Sequence, residues 1–263
     1  GSGKTTLLNL IAGFVEPSNG EVVYFSKVQH TEKNLHKNLH LIKRHIGYTP
    51  QHNSFYPKLT VKENLLHFGK LYHVDRSTLI ANIKNLLSFT KLMQYRNVLA
   101  EHLSGGMQKR LDLSCSLVHK PKLLVLDEPI ADLDIVLKRE ILHLLTEVNK
   151  QGVTVVIASH QLGSIENICN KVAIIHKGEV HSHGLIDDIK KPYLHDHFTI
   201  HVKAGPQKDL LISRLQNLAV QKIVDKGETL LIYPEHVAST VSGIIDIVKE
   251  ENLFFHDLDL RKP

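Results

Sequence analysis

Tryptophan is absent from this 263-residue chain, and cysteine and methionine occur only twice each. The two cysteines, Cys115 and Cys169, stand in apolar helical stretches with no metal-ligand spacing, which fits a reduced, cytoplasmic compartment. Long hydrophobic runs are missing too. "VTVVIA" and "LLVL" fall far short of the ~20 apolar residues that a membrane-crossing helix requires. The start shows no basic-then-apolar leader, so nothing in it directs export. The formal net charge is +5, yet no stretch of Lys or Arg exceeds two residues, and nucleic acid is not expected as a partner. Histidine is in excess, with 19 copies. Pairs such as His36/His40, His181/His183 and His195/His197 lack cysteine or carboxylate companions, so they read as scattered polar residues and not as metal ligands.

What is present is ordinary globular material, 42% hydrophobic and 22% charged, enough for one large domain with an appendage. Strand and helix patterns alternate, which predicts an α/β layered fold. "KTTLLNLIAG" reads as a helix closed by Gly13, "EVVYF" as a strand, and residues 26–45 as polar loop with some helix. "HIGYTPQ" is a short strand entering a proline loop, and from about 58 to 120 the pattern turns helical, a block inserted into the α/β core. "KLLVLDEP" and "VTVVIASH" return to buried strands. The helix between them puts Leu137, Ile141, Leu144, Leu145 and Val148 on one face. "LGSIENIC" reads as another helix and "KVAIIHKGEVHSHG" as a hairpin about Lys177–Gly178. A boundary is expected near "KKPYLHD", dividing residues 1–192 from 193–263. The second part runs strand, helix, strand, strand, helix, strand, the order of a small ferredoxin-like α+β domain. Its second helix should bury Val237, Val241, Ile244, Ile245 and Val248.

Three stretches carry chemistry. In "GSGKTT" (Gly1, Ser2, Gly3, Lys4, Thr5, Thr6) a loop opens a helix, and its backbone N–H groups can converge on anionic oxygens. Lys4 would reach the outer phosphates and the Thr5 hydroxyl would ligate Mg²⁺. A helix start rich in small residues is the plainer alternative. In "LLVLDEP" a buried strand delivers Asp127 to its carboxyl end, where open α/β sheets bind ligands. There Asp127 can hold Mg²⁺ through water, and Glu128 can polarise an attacking water. "LSGGMQKR" opens another helix with Ser104, Gly105 and Gly106, a second anion cradle about a hundred positions beyond the first. One nucleotide does not need two cradles from one chain. A symmetric homodimer, with each second cradle capping the partner's nucleotide, accounts for both; a plain helix start capped by Ser104 is the alternative.

The set "GSGKTT", "TPQ", "LSGGMQKR", "LLVLDEP", "ADLD" and "ASH", in this order and spacing, resembles the nucleotide-binding subunits of ATP-binding-cassette (ABC) transporters over essentially the whole chain. The resemblance implies a P-loop ATPase core with a helical subdomain, with ATP and Mg²⁺ as cofactors. It makes Lys4 and Thr5 the Walker A lysine and the metal-bound hydroxyl. Gln51 becomes the Q-loop glutamine, near the metal and at the hinge to the helical block. Ser104, Gly105 and Gly106 match the signature sequence, Asp127 the Walker B aspartate and Glu128 the catalytic carboxylate. Asp134 falls where the D-loop aspartate lies between subunits, and His160 where the switch histidine touches the γ-phosphate.

Some positions depart from the family's commonest pattern. Met107 follows the two glycines where glutamine is frequent, Ile130 replaces a small hydroxyl residue, and Asp132 takes a place often held by glycine. These are expected to tune rate or dimer contacts. The first glycine of the loop and the strands before it are lacking, so a fragment is expected. The tail resembles that of type-2, drug-resistance-like exporters. It implies a cytoplasmic-face ATPase acting on a separate integral membrane subunit, with Phe55, Tyr56 and Leu59 either meeting that partner or packing locally. The alternatives are an ABC-type ATPase of DNA maintenance, a ribosome-associated one, or a binding-only regulator. The 100 positions from Lys4 to Ser104 hold no sustained heptads, only one cassette is visible, and Glu128 and His160 are both kept, which disfavours each in turn.

Overall fold

The computed structural model describes residues 2–26, 30–194, 198–205, 207–251, 253 and 255–261. Contacts divide the chain into two compact units, Gly1–Cys169 with Ile175–His181, and Asn170–Ile174 with Ser182–Pro263. This division runs through the hairpin about Lys177–Gly178 and not at residue 192. His195 and His197 lie outside the described residues.

In the first unit, α1 (Lys4–Ala12) ends at Gly13. β1 (Val23–Ser26) then pairs antiparallel with β2 (Thr31–Asn34), inside the stretch expected to be loop and helix. β2 reads TEKN and its first three residues are exposed, so no apolar alternation announces it. α2 (Leu39–Ile42) and β3 (Ile46–Thr49) follow. The helical block consists of α3 (Val61–Leu71), α4 (Arg76–Phe89) and α5 (Gly105–Leu117). Its start is fixed by a reciprocal cap: Thr60 Oγ1 accepts from the Glu63 N–H, and the Glu63 carboxylate accepts from the Thr60 N–H at 2.8 Å. Such a cap contributes about 1 kcal/mol. Val61, Leu65, Leu79, Ile83 and Leu111 give the block its own core. Phe55 is buried in that core, so it packs locally and offers no surface to a partner, whereas Tyr56 is 48% exposed.

The chain then builds β4 (Leu123–Asp127), α6 (Ile135–Lys150), β5 (Thr154–Ala158), the one-turn α7 (Leu162–Ile165), and the hairpin strands β6 (Lys171–His176) and β7 (Glu179–Leu185). β3, β4 and β5 form a parallel sheet in that order. Leu124 and Leu126 of β4 pack with Ile141 and Leu145 of α6, while Val125 packs with Leu8 of α1. A parallel sheet buried on both faces needs such a continuous apolar strand. Ile130 is fully buried in the α6 layer, so it fills core and cannot tune contacts with a second copy.

The second unit contains α8 (Ile186–Leu194), which occupies most of the stretch where a boundary was expected. β8 (Thr199–Ala204), α9 (Lys208–Leu215), β9 (Val220–Asp225), β10 (Thr229–Pro234), α10 (Val237–Glu250) and β11 (Phe255–Arg261) follow. All pairings are antiparallel in the order β11-β8-β10-β9, the ferredoxin-like split arrangement. Ile200, Val202, Leu230 and Ile232 face Leu211, Leu215 and Ile244. Ile245, expected on the inner face of α10, is 40% exposed, and Thr240 is buried instead. Among the described residues, no helix is long and apolar enough to cross a membrane.

Candidate nucleotide site

The sheet register sets Thr49 beside Leu126 and Asp127 beside Ala158, so the three strands end at one level. Beyond β3 the chain reaches Gln51, β4 delivers Asp127 and Glu128, and β5 leads to His160. Carboxyl ends of parallel strands are where α/β sheets bind ligands. Together with Ser2, Gly3, Lys4, Thr5 and Thr6 at the start of α1, these four residues line one cavity of about 270 Å³. Gly1 lies outside the described residues. A larger hollow of about 390 Å³, lined by Asn82, Phe89, Lys120 and Val148 among others, contains no predicted site residue. Size alone therefore does not mark the site; the chemistry of the smaller cavity does.

Gly3 adopts a left-handed φ of +96° and caps α1 with no side-chain hydrogen bond. The first N–H groups of any helix lack intrahelical partners, so those of Lys4, Thr5 and Thr6 are open to an anion. Lys4 Nζ lies 3.4 Å from Ser2 Oγ. The Gly178 N–H, at the tip of the β6–β7 hairpin, donates to the Ser2 carbonyl at 3.1 Å and braces the loop from outside. Sequence reasoning found that turn but not its contact, which no local pattern encodes.

The Thr5 hydroxyl donates to Asp127 Oδ2 at 2.7 Å. Asp127 and Glu128 are only 2% and 8% exposed. Burial, helped by the charge of Asp127, pushes the neighbouring Tyr48 phenol up. Glu128 holds a left-handed φ of +48°, unusual for a residue with a side chain, and its N–H donates to the Ala158 carbonyl at 2.9 Å. Strain of this kind collects where a side chain must be aimed. Glu128 Oε1 lies 2.9 Å from His160 Nδ1, while Oε2 is buried without a hydrogen-bond partner. Glu128 is thus a carboxylate with unused acceptor capacity among the residues that line the cavity.

A hard-oxygen pair of one hydroxyl and one buried carboxylate suits Mg²⁺, which takes few protein ligands and completes its octahedron with water and phosphate oxygens. No cluster of three or more His, Cys, Asp or Glu able to hold a metal occurs among the described residues, so an all-protein cage is not built here.

The remaining predicted residues stand outside this cavity. Ser104 caps α5, its Oγ accepting from the Met107 N–H at 3.4 Å, and both Ser104 and Gly105 are exposed. Gly106 is buried against Leu137, where a Cβ would sit 2.5 Å from Leu137 Cδ2. Asp134 caps α6, accepting from the Val136 and Leu137 N–H groups at 2.8 and 2.9 Å. Asp132 has a φ of +58°, which gives the physical reason glycine is favoured there.

A glycine-containing loop opening a helix, opposed by a buried aspartate at a strand end, defines a P-loop nucleotide-binding domain. A family model described as "ABC transporter" matches residues 1–131. The Nod factor export ATP-binding protein I of Burkholderia lata is 30% identical over 260 residues, covering 92% of this chain and 78% of that protein. An ABC transporter ATP-binding protein of Alkalihalophilus pseudofirmus is 29% identical over 100% of this chain and 96% of its own length. The linearmycin resistance ATP-binding protein LnrL of Bacillus subtilis is 31% identical over 72% of this chain, which spans only 59% of that relative. Among solved structures, an ATP-binding cassette of an ABC transporter in its ADP conformation matches at 26% identity and a TM-score of 0.63, over 73% of this chain and 80% of that one. The chain belongs to the ATP-binding subunits of ABC transporters, the class that couples ATP hydrolysis to transport.

Proposed function

We propose that this subunit works as a homodimer at the cytoplasmic face of the membrane, powering export through a separate integral membrane subunit. The observation that carries the shared-site reading is the position of Ser104 and Gly105, exposed at the open end of α5 and absent from their own chain's phosphate cavity. For them to reach a nucleotide held at Lys4, a second copy must bring them. The name of the Nod factor export relative supports the outward direction. The relatives' names give no support to the DNA-maintenance or ribosome-associated alternatives. The first compact unit serves in this reading as the cassette, and the second, which takes in residues 193–263, as an accessory domain.

Lys4 and the free N–H groups of α1 bind the phosphates and offset their charge. Thr5 and Asp127 would hold Mg²⁺, with Gln51 at its edge. The ion, when bound, supplies further charge neutralisation on the phosphate oxygens. Glu128 orients the attacking water. His160, exposed on its outer side and fixed to Oε1, faces the terminal phosphate. Asp134 lies at the exposed start of α6, where a second copy would meet it.

The test is Glu128→Gln in the full-length protein. Turnover should fall by about 10³-fold with ATP affinity kept, and an ATP-dependent dimer should accumulate, read by light scattering. Unchanged turnover would remove Glu128 from its role.

A further inference from the structure

The segment carrying Gln51 is fastened to α5, the helix that begins at Ser104, by a series of side-chain hydrogen bonds. Thr49 Oγ1 donates to Ser116 Oγ at 3.0 Å, and Asn53 Nδ2 donates to Gln108 Oε1 at 3.4 Å. The strongest link is at Ser54, whose backbone N–H and hydroxyl both donate to Asp112 Oδ1, at 2.9 and 2.6 Å. Asp112 is fully buried, and its Oδ2 has no hydrogen-bond partner. One turn earlier, Lys109 is 7% exposed, and its ammonium lies in the field of both Asp112 and Asp127. Burial pulls the Lys109 amine down and pushes the Asp112 carboxyl up, and the Ser54 bonds and the Lys109 charge oppose that second shift.

Buried charges of this kind are poor stabilisers, because apolar residues of similar volume pack as well or better. Leu111, Leu113 and Cys115 show that α5 accepts such residues on either side of Asp112. What the charge adds is a directional hold on one loop. Two donors of one residue converging on one oxygen fix both the distance and the orientation of Ser54.

We propose that Asp112 is a positioning residue: it latches residues 49–54 to α5, so that Gln51 is held in place by the Ser104 helix. The inference rests on the reading of Gln51 given above. The latch would keep Gln51 in a set place relative to α5, tying the helix that begins at Ser104 to the metal site of the same chain.

The experiment uses the full-length protein with Ser54→Ala, Ser54→Thr, Gln51→Ala and the Ser54→Ala/Gln51→Ala pair. Ser54 is half-buried, so these variants spare the buried Asp112. The readouts are kcat, KM for ATP, the Mg²⁺ concentration for half-maximal rate, and Tm. Ser54→Ala should lower kcat about fivefold and raise the Mg²⁺ requirement, with KM little changed; Ser54→Thr, which keeps both donors, should recover both. In the Gln51→Ala background, Ser54→Ala should add nothing. If Ser54→Ala multiplies the defect of Gln51→Ala by its full factor, or shifts only Tm, the latch is overturned. An impaired Gln51→Ala beside a normal Ser54→Ala removes the latch alone. A Gln51→Ala protein with normal turnover and Mg²⁺ dependence removes the reading of Gln51, and the latch with it.

Discussion

Thr5 and Asp127, 122 positions apart in the chain, meet through a 2.7 Å hydrogen bond at the carboxyl edge of the parallel sheet. One sits on the first turn of α1 and the other at the end of β4, and Val125 of β4 packs in the same core as Leu8 of α1. The bond therefore depends on the core beneath it. Helix and strand are docked by apolar contact, and the two oxygens are brought together as a consequence.

Thr5→Val tests that geometry. It keeps the shape of the side chain and removes the hydroxyl. ATP affinity measured with Mg²⁺ should fall about tenfold or more, while affinity in excess EDTA, set by Lys4 and the helix N-terminus, should stay within about twofold. Isothermal titration with and without the metal separates the two. An equal loss in both conditions would mean that Thr5 acts on the phosphate loop and not on the ion.

Gly106 and Gly105 make a second, paired prediction. A Cβ at Gly106 would collide with Leu137 on α6, whereas nothing stands within 4 Å of one at Gly105. Gly106→Ala should cost about 1–3 kcal/mol in urea unfolding, as overpacking does, and Gly105→Ala should lie within about 0.5 kcal/mol of the parent. Similar losses at both positions would contradict the packing described between α5 and α6.

His119 sets a pH dependence. Its ring stacks on Tyr72 at 3.6 Å between centroids and meets the Ile46 carbonyl at 3.1 Å. Burial lowers its pKa to about 4 from the ordinary 6.5. Between those values the unfolded chain binds a proton that the folded chain does not. The stability from the neutral ring is thus complete above about pH 6.5 and is lost as pH falls toward 4, by about 2 kcal/mol from pH 7 to pH 5. Urea midpoints of the parent should drop over that interval, and His119→Gln should show a shallower slope. Identical slopes would place the titration elsewhere.

The strand-to-loop stretches that carry Asp127 and His160 were legible in the sequence because apolar runs stop abruptly at charged or polar residues. α6 was legible from its single apolar face. β2 was not, since TEKN has neither apolar alternation nor a turn signal and takes its strand form by pairing with β1. The burial of Phe55 and Ile130 was not legible, because motif position says nothing about burial, which tertiary packing decides. The contact of Gly178 with Ser2 and the hold of Asp112 on Ser54 join distant segments, and no local spacing encodes them. Two charges, Lys109 and Asp112, one turn apart in a largely buried helix were the available signal for the second.

The shared nucleotide site is tested most directly by Ser104→Arg in the full-length protein, with ATP affinity measured at dilution and turnover measured at working concentration. Affinity should stay within about threefold of the parent, because Lys4 and α1 belong to the same chain as the bound nucleotide. Turnover should fall by about 10²-fold, and the Glu128→Gln background should no longer yield an ATP-dependent dimer. Full turnover in the Ser104→Arg protein, or a loss of affinity at dilution as large as the loss of turnover, would contradict the account.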